Sequence, residues 1–198
     1  MSNTKNKITN ILIAGVGGQG LVLSTKLLGS AALKAGYDLK TSDVIGLAQR
    51  GGKVWGSVRF GETVHSPLIP LGQCDLMIGL EELEALRWVH TMKKEGTIIL
   101  NDSIIYPTSV MTEKEEYPED IPGIMSKRCK VILVHGLKIA KQAGNAKAIN
   151  TVLMGVISKF LPFSEETWIE VIKENVPKKS IDANIAAFKL GAELSSKA

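Results

Sequence analysis

Apolar residues along the chain fall into short continuous runs separated by stretches of helical periodicity. Ile8 to Ala14, Leu76 to Gly79, Thr97 to Leu100 and Lys130 to Val134 are mainly apolar runs of strand length, continuous rather than alternating. Continuous runs of this kind mark strands covered on both faces, because alternate side chains of a strand point to opposite sides. Between them, Leu21 to Ala35 is rich in Leu and Ala and stops at Gly36, a helix with a glycine C-cap. Glu81 to His90 places leucines at 83 and 86 beside Val89 and opens with acidic residues that suit a helix dipole. Strands alternating with helices predict a three-layer α/β/α sandwich around a mostly parallel, mixed sheet with right-handed crossovers.

Two segments break this rhythm. From Lys53 to Phe60, Val54, Gly56, Val58 and Phe60 alternate with Trp55, Ser57 and Arg59. One polar face predicts a strand at the sheet edge, antiparallel, followed by a turn at Gly61-Glu62. Tyr106 to Gly123 holds three prolines and five acidic residues and reads as a long loop of the kind that contacts a partner. Beyond it the chain turns helical: Asn150 to Phe160, Glu165 to Glu174 and Ile181 to Leu190, broken at Pro162 and Pro177, with Ser164 as an N-cap. No internal repeat or linker divides the chain. The expectation is one domain over residues 1–198, with 150–198 a helical tail packed on it.

Composition narrows the function. The 198 residues are 44% hydrophobic and 22% charged, a globular balance large enough for a real core. A net charge of +4 with scattered basic residues gives no nucleic-acid footprint. Two cysteines, Cys74 and Cys129, are too few for a disulfide framework or for the four thiolates of an iron–sulfur cluster. The polar start and the lack of any run near the ~18 apolar residues of a membrane span predict a cytoplasmic protein without membrane association.

Glycine is the informative residue. Gly15-Val16-Gly17-Gly18-Gln19-Gly20 follows the first strand and opens the first helix, the G-x-G-x-x-G spacing in the context it requires. Such a loop lets backbone N–H groups at a helix start approach a phosphate; it also serves as a tight packing turn. An NAD site wants an acid about 20 residues on, and Asp38 and Asp43 are both candidates. A second cluster follows, Thr41-Ser42-Asp43-Val44-Ile45-Gly46 and then Gln49-Arg50-Gly51-Gly52. Arg50 there is either a guanidinium held near a ligand or an interface, or a surface residue before a turn. The two loops are expected as neighbours at one end of the sheet.

The rest of the chain offers no self-sufficient catalytic set. His65, His90 and His135 have no metal-like spacing and no carboxylate partner evident in sequence. Cys74 is expected in the core. Cys129 sits among Lys127, Arg128 and Lys130, a setting that lowers a thiol pKa if the thiol reaches solvent. Glu113, Glu115, Glu116, Glu119 and Asp120 form a solvated acidic loop. Nucleophile elbow, P-loop lysine and zinc spacing are all missing.

The glycine loop, Ser42-Asp43 and Gln49-Arg50-Gly51-Gly52 together resemble the gamma-type domain of the 2-oxoacid:ferredoxin oxidoreductases. Ser66-Pro67-Leu68-Ile69-Pro70, the Glu82 to Arg87 helix, Ala143-Gly144-Asn145 through Asn150 and Gly155, and Phe160-Leu161-Pro162-Phe163 look like the small subunits that serve indolepyruvate and extend the resemblance over nearly the whole chain. It implies a division of labour. A large alpha subunit carries thiamine diphosphate and 4Fe-4S clusters, ferredoxin accepts the electrons, and this chain carries no cofactor of its own. It implies oxidative decarboxylation of an arylpyruvate with coenzyme A, which gives the glycine loop a diphosphate ligand. On that reading Gly15, Gly17, Gly18, Gln19, Gly20, Ser42, Arg50, Gly51 and Gly52 hold coenzyme A phosphates or shape the subunit interface, and no catalytic or metal-ligating residue is assigned. Position 43 is Asp where Glu is common, and position 45 is Ile where His often stands, so no proton transfer carries over at 45. Small subunits for pyruvate or 2-oxoglutarate, and a free-standing dinucleotide-binding protein, are the alternatives.

Overall fold

A computed structural model describes residues 7–44, 52–106, 108–112 and 116–195. Six strands form one sheet in the order β2-β3-β1-β4-β5-β6. They are β1 (Thr9–Val16), β2 (Asp38–Val44), β3 (Lys53–Gly61), β4 (Cys74–Gly79), β5 (Met92–Asn101) and β6 (Lys130–Val134). β1, β4, β5 and β6 are parallel, and β3 runs antiparallel to β1 and β2 on either side of it. The mixed sheet and the three apolar runs near its centre are as the hydrophobic pattern predicts.

Helices cover both faces. On one lie α1 (Leu21–Lys34), α5 (Gly136–Gln142), α6 (Ile149–Ser158), α7 (Glu165–Asn175) and α8 (Ile181–Ser195). Their buried side chains share one cluster with Ile11, Ile13, Ile78 and Ile99. On the other lie α2 (Glu82–Trp88) and α4 (Ile121–Ser126), packed on Leu12, Met77, Ile98 and Leu100. Neighbours along one strand thus serve opposite cores, and this is why those strands read as continuous rather than alternating apolar runs. Among the described residues no helix is long and apolar enough to cross a membrane.

Two expectations need correction. First, the Lys53 to Phe60 strand is antiparallel but interior; the edge is β2. The polar face of β3 is covered by the irregular Ser66–Leu68 stretch, whose carbonyls stand in for water. Ser57 Oγ donates to Pro67 O at 2.7 Å, and Arg59 Nη1 donates to Ser66 O at 2.7 Å and to Leu68 O at 2.8 Å. Second, Tyr106 to Gly123 is not wholly loop: it contains α3 (Thr108–Met111) and the start of α4, whose N-cap Asp120 accepts from Gly123 N. α6 opens the C-terminal helical segment. Every residue from Asn150 to Ile157 is buried, in the same cluster as β1 and α1.

Candidate functional site

All parallel strands end on the same side, and there the connections diverge. β1 continues through α1 toward β2, whereas β4 continues through α2 toward β5 in the other direction. Open α/β sheets bind ligands at the crevice such a switch creates. A cavity of about 420 Å³ occupies it, walled by Gly18, Gly20, Leu80, Asn101, Lys147 and Asn150.

The glycine loop forms its floor. Gly18 and Gly20 have φ of +100° and +77°, which side-chain-bearing residues rarely adopt. A Cβ on Gly18 would meet nothing within 4 Å, so this residue faces open space. Gly20 is the N-cap of α1 and offers no side-chain cap to the first N–H groups of this 14-residue helix, whose start lines the crevice through Gly20 and Leu23.

Side chains around the loop hold it rather than reach from it. Gln19 Oε1 accepts from Val16 N at 2.7 Å and Gln19 Nε2 donates to Leu80 O at 2.9 Å, tying the end of β1 to the end of β4. Gly15 is small because a Cβ there would stand 2.8 Å from that Gln19 oxygen. Asn150, in the first turn of α6, donates from Nδ2 to Gln19 O and Gly20 O, both at 2.9 Å. Gly17 N donates to Gly52 O at 2.8 Å, so the two glycine clusters do meet.

The wall is electropositive. Lys147 supplies a cation and no carboxylate lines the cavity among the described residues. An Asx turn sets Lys147 in place: its N–H donates to Asn145 Oδ1 at 3.0 Å. Asn101, 3% exposed, carries a side-chain oxygen with no hydrogen-bond partner among the described residues. Nothing in the Ala143 to Asn150 pattern marked Lys147 and Asn150 individually, because only the fold brings α6 against a loop some 130 residues earlier.

Other expected residues lie elsewhere. Ser42 sits within β2, paired to Ser57 two strands from β1, and does not line the crevice. Arg50 and Gly51 lie outside the described residues. Neither acid proposed for a ribose stands in the crevice. Asp38 accepts from Val64 N at 2.7 Å, which holds its carboxyl below the usual range. Burial pushes the Asp43 carboxyl up, against a hydrogen bond from Thr25 Oγ1 at 3.0 Å. Cys74 is buried and its thiol is pushed up to about 12. Burial likewise raises Cys129, outweighing Arg128, so the basic neighbours do not activate it. His135 has a carboxylate partner after all: Nδ1 bonds Asp102 Oδ2 where β5 and β6 end. Among the described residues no group of three or more His, Cys, Asp and Glu could hold a metal ion.

Fold and site together define a mixed α/β protein with an open crevice at its topological switch, lined by the glycine loop, Asn150 and Lys147. The family model for pyruvate ferredoxin/flavodoxin oxidoreductase matches residues 10–194, and the chain belongs to that family. It is 40% identical over 190 residues to indolepyruvate oxidoreductase subunit IorB of Thermococcus kodakarensis, covering 93% of this chain and 94% of that one. Ketoisovalerate oxidoreductase subunit VorA of Methanothermobacter thermautotrophicus is 30% identical over 188 residues, 92% of this chain but 35% of the relative. Among solved structures, 2-oxoglutarate:ferredoxin oxidoreductase from Magnetococcus marinus, with 2-oxoglutarate, coenzyme A and succinyl-CoA bound, superposes with a TM-score of 0.76 at 20% identity, over 98% of this chain and 32% of that one.

Proposed function

We propose that this chain is the small subunit of a cytoplasmic, ferredoxin-dependent 2-oxoacid oxidoreductase acting on indolepyruvate, and that its glycine crevice holds the diphosphate of coenzyme A. The 40% identity to an indolepyruvate oxidoreductase subunit over nearly the full length supports the substrate class. The observation that carries the ligand is the crevice itself, where an uncapped helix start, an open glycine and Lys147 converge on one hollow.

In the overall reaction an arylpyruvate, coenzyme A and two oxidised ferredoxins give the aryl-acetyl-CoA, carbon dioxide, a proton and two reduced ferredoxins. Thiamine diphosphate and iron–sulfur clusters, which supply the decarboxylation and the electron relay, belong to a larger partner. With two cysteines, this chain lacks the thiolates for a cluster of its own. Its residues bind and orient. The α1 amides and Gly18 N–H face the phosphates, Lys147 neutralises them, and Gln19 and Asn150 keep the loop rigid, so little ordering is needed on binding.

The test is Gly18→Asp against Gly18→Asn in the assembled enzyme. Both impose the same positive-φ strain, and the open space admits either side chain. Only Asp brings a negative charge to the phosphate position. Its KM for coenzyme A should rise about tenfold or more, equivalent to ~1.4 kcal/mol, while Asn stays near the parent. Equal KM values for the two variants and the parent remove coenzyme A from this crevice.

A further inference from the structure

Past β5 the chain leaves the carboxyl edge through Ile104, Ile105 and Tyr106, which are 54%, 42% and 55% exposed, and Met111 on the same connection is 74% exposed. Single exposed apolar residues are ordinary, but a consecutive run is not. From Ser103 to Thr112 there is no charged side chain at all. Absence of charge with presence of aromatic and aliphatic surface is the composition of an interface centre.

The run is held in place. Glu82 N donates to Ser103 O at 3.3 Å, anchoring its start to α2. Tyr106 meets Tyr117 edge-on, with ring centroids 5.3 Å apart, and Tyr117 Oη donates to Glu81 Oε1 at 2.7 Å. Glu81 is fully buried, so the latch is rooted in the core. Apolar surface fixed in this way loses little conformational freedom when covered. Ser103 and Ile105 also line the crevice, so the run begins at the crevice's rim.

What covers it follows from the relatives. In VorA and in the Magnetococcus enzyme, the region matching this chain is only 35% and 32% of a longer polypeptide. The remaining two thirds have no counterpart in these 198 residues. We infer that the Ile104-Ile105-Tyr106 rim with Met111 is the seat of the larger subunit, docking apolar surface to apolar surface so that the mouth of the crevice opens toward the partner. This rests on the small-subunit reading above. It adds which face of the chain docks, and it assigns the uncharged connection after β5 a role.

The test uses the complex. The tagged chain is co-expressed with the larger subunit as parent, Ile104→Asp, Met111→Asp and Leu71→Asp. Leu71 is 72% exposed but lies outside the crevice, on the β3–β4 connection, and serves as the matched control. Ile104→Asp and Met111→Asp should each lower recovery of the large subunit about tenfold or more, the effect of a buried anchor, and Leu71→Asp should not. Thermal midpoints of the free variants show whether the chains still fold. Hydrogen exchange on the parent complex needs no variant: amides of 103–112 should gain protection on assembly. Protection at 66–72 instead, or undiminished recovery with Ile104→Asp and Met111→Asp, overturns the rim as the seat. If the parent chain recovers no large subunit, the small-subunit reading falls, and this inference with it.

Discussion

Gly191→Ala should lower the stability of the chain by at least about 3 kcal/mol, although alanine is the better helix former. The reason is the crossing of α6 and α8. A Cβ at Gly191 would stand 2.1 Å from Val152 O and 3.0 Å from Val152 C; one at Gly155 would stand 2.1 Å from Phe188 O and 2.8 Å from Ala192 N. These are backbone atoms of a neighbouring helix and cannot rotate aside. The helices would have to separate along their length, pulling apart Thr151 Oγ1 and Asn184 Oδ1, now 2.6 Å apart, and loosening the buried face of α6 from the sheet. A loss of ~3 kcal/mol is a large share of the ~5–15 kcal/mol that holds a domain together. Gly29→Ala is the comparison. It lies inside α1, and its nearest neighbour is the tip of the Leu39 side chain at 3.1 Å, which can turn away. That substitution should stay within about 1 kcal/mol of the parent. Urea midpoints of the two variants measured side by side settle the matter: equal midpoints mean that the helices do not cross so closely.

How much of this was legible in the sequence differs between elements for identifiable reasons. Ile8 to Ala14 and Thr97 to Leu100 announced themselves because each serves two cores at once. The edge strand Asp38-Leu39-Lys40-Thr41-Ser42-Asp43-Val44 carries no such pattern, since it is half exposed and satisfied mainly by β3. Its acids and Ser42 therefore looked like loop chemistry. β3 misled in the opposite sense: alternation is a sound sign of a polar face, but Pro67 and Ser66 carbonyls can cover such a face as well as water does. Of the site, the floor was readable because G-x-G-x-x-G has a backbone meaning wherever strand meets helix. Its walls were not. Lys147 and Asn150 acquire their places only when α6 is laid against the loop. The Asp102–His135 pair was recoverable from register: Asn101 pairs with Val134 in parallel strands, so the residues one step beyond each lie side by side.

Asn150→Asp exchanges one atom of the crevice's principal clamp and should be felt in stability, in coenzyme A binding and in pH dependence together. Asn150 is 9% exposed, and its Nδ2 donates to the carbonyls of both Gln19 and Gly20. A carboxylate of the same shape removes both donors and sets a buried charge against two carbonyl oxygens. Leaving those acceptors unpaired costs roughly 2–4 kcal/mol, only partly offset by the ~0.3–1 kcal/mol that the α6 N-terminus gives an anion. Burial and the facing carbonyls raise the introduced carboxyl's pKa in the folded state above its unfolded value of ~4. The sign follows from linkage. A folded-state pKa that is raised favours the folded protein at low pH, so the deficit is full above the raised pKa and shrinks as pH falls through it toward ~4. The protonated acid also regains one donor for the loop. Asn150→Leu loses the same two hydrogen bonds but cannot titrate, so its deficit should not vary with pH. Melting temperatures of parent, Asp and Leu variants between neutral pH and about pH 4.5 separate these outcomes. With coenzyme A bound as proposed, both variants should raise its KM in the assembled enzyme, because the loop is released from α6. A pH-flat deficit for Asn150→Asp would mean that the amide does not face the two carbonyls. An unchanged KM alongside lowered stability would mean that the clamp serves folding alone, and that the preorganised loop is not what binds the ligand.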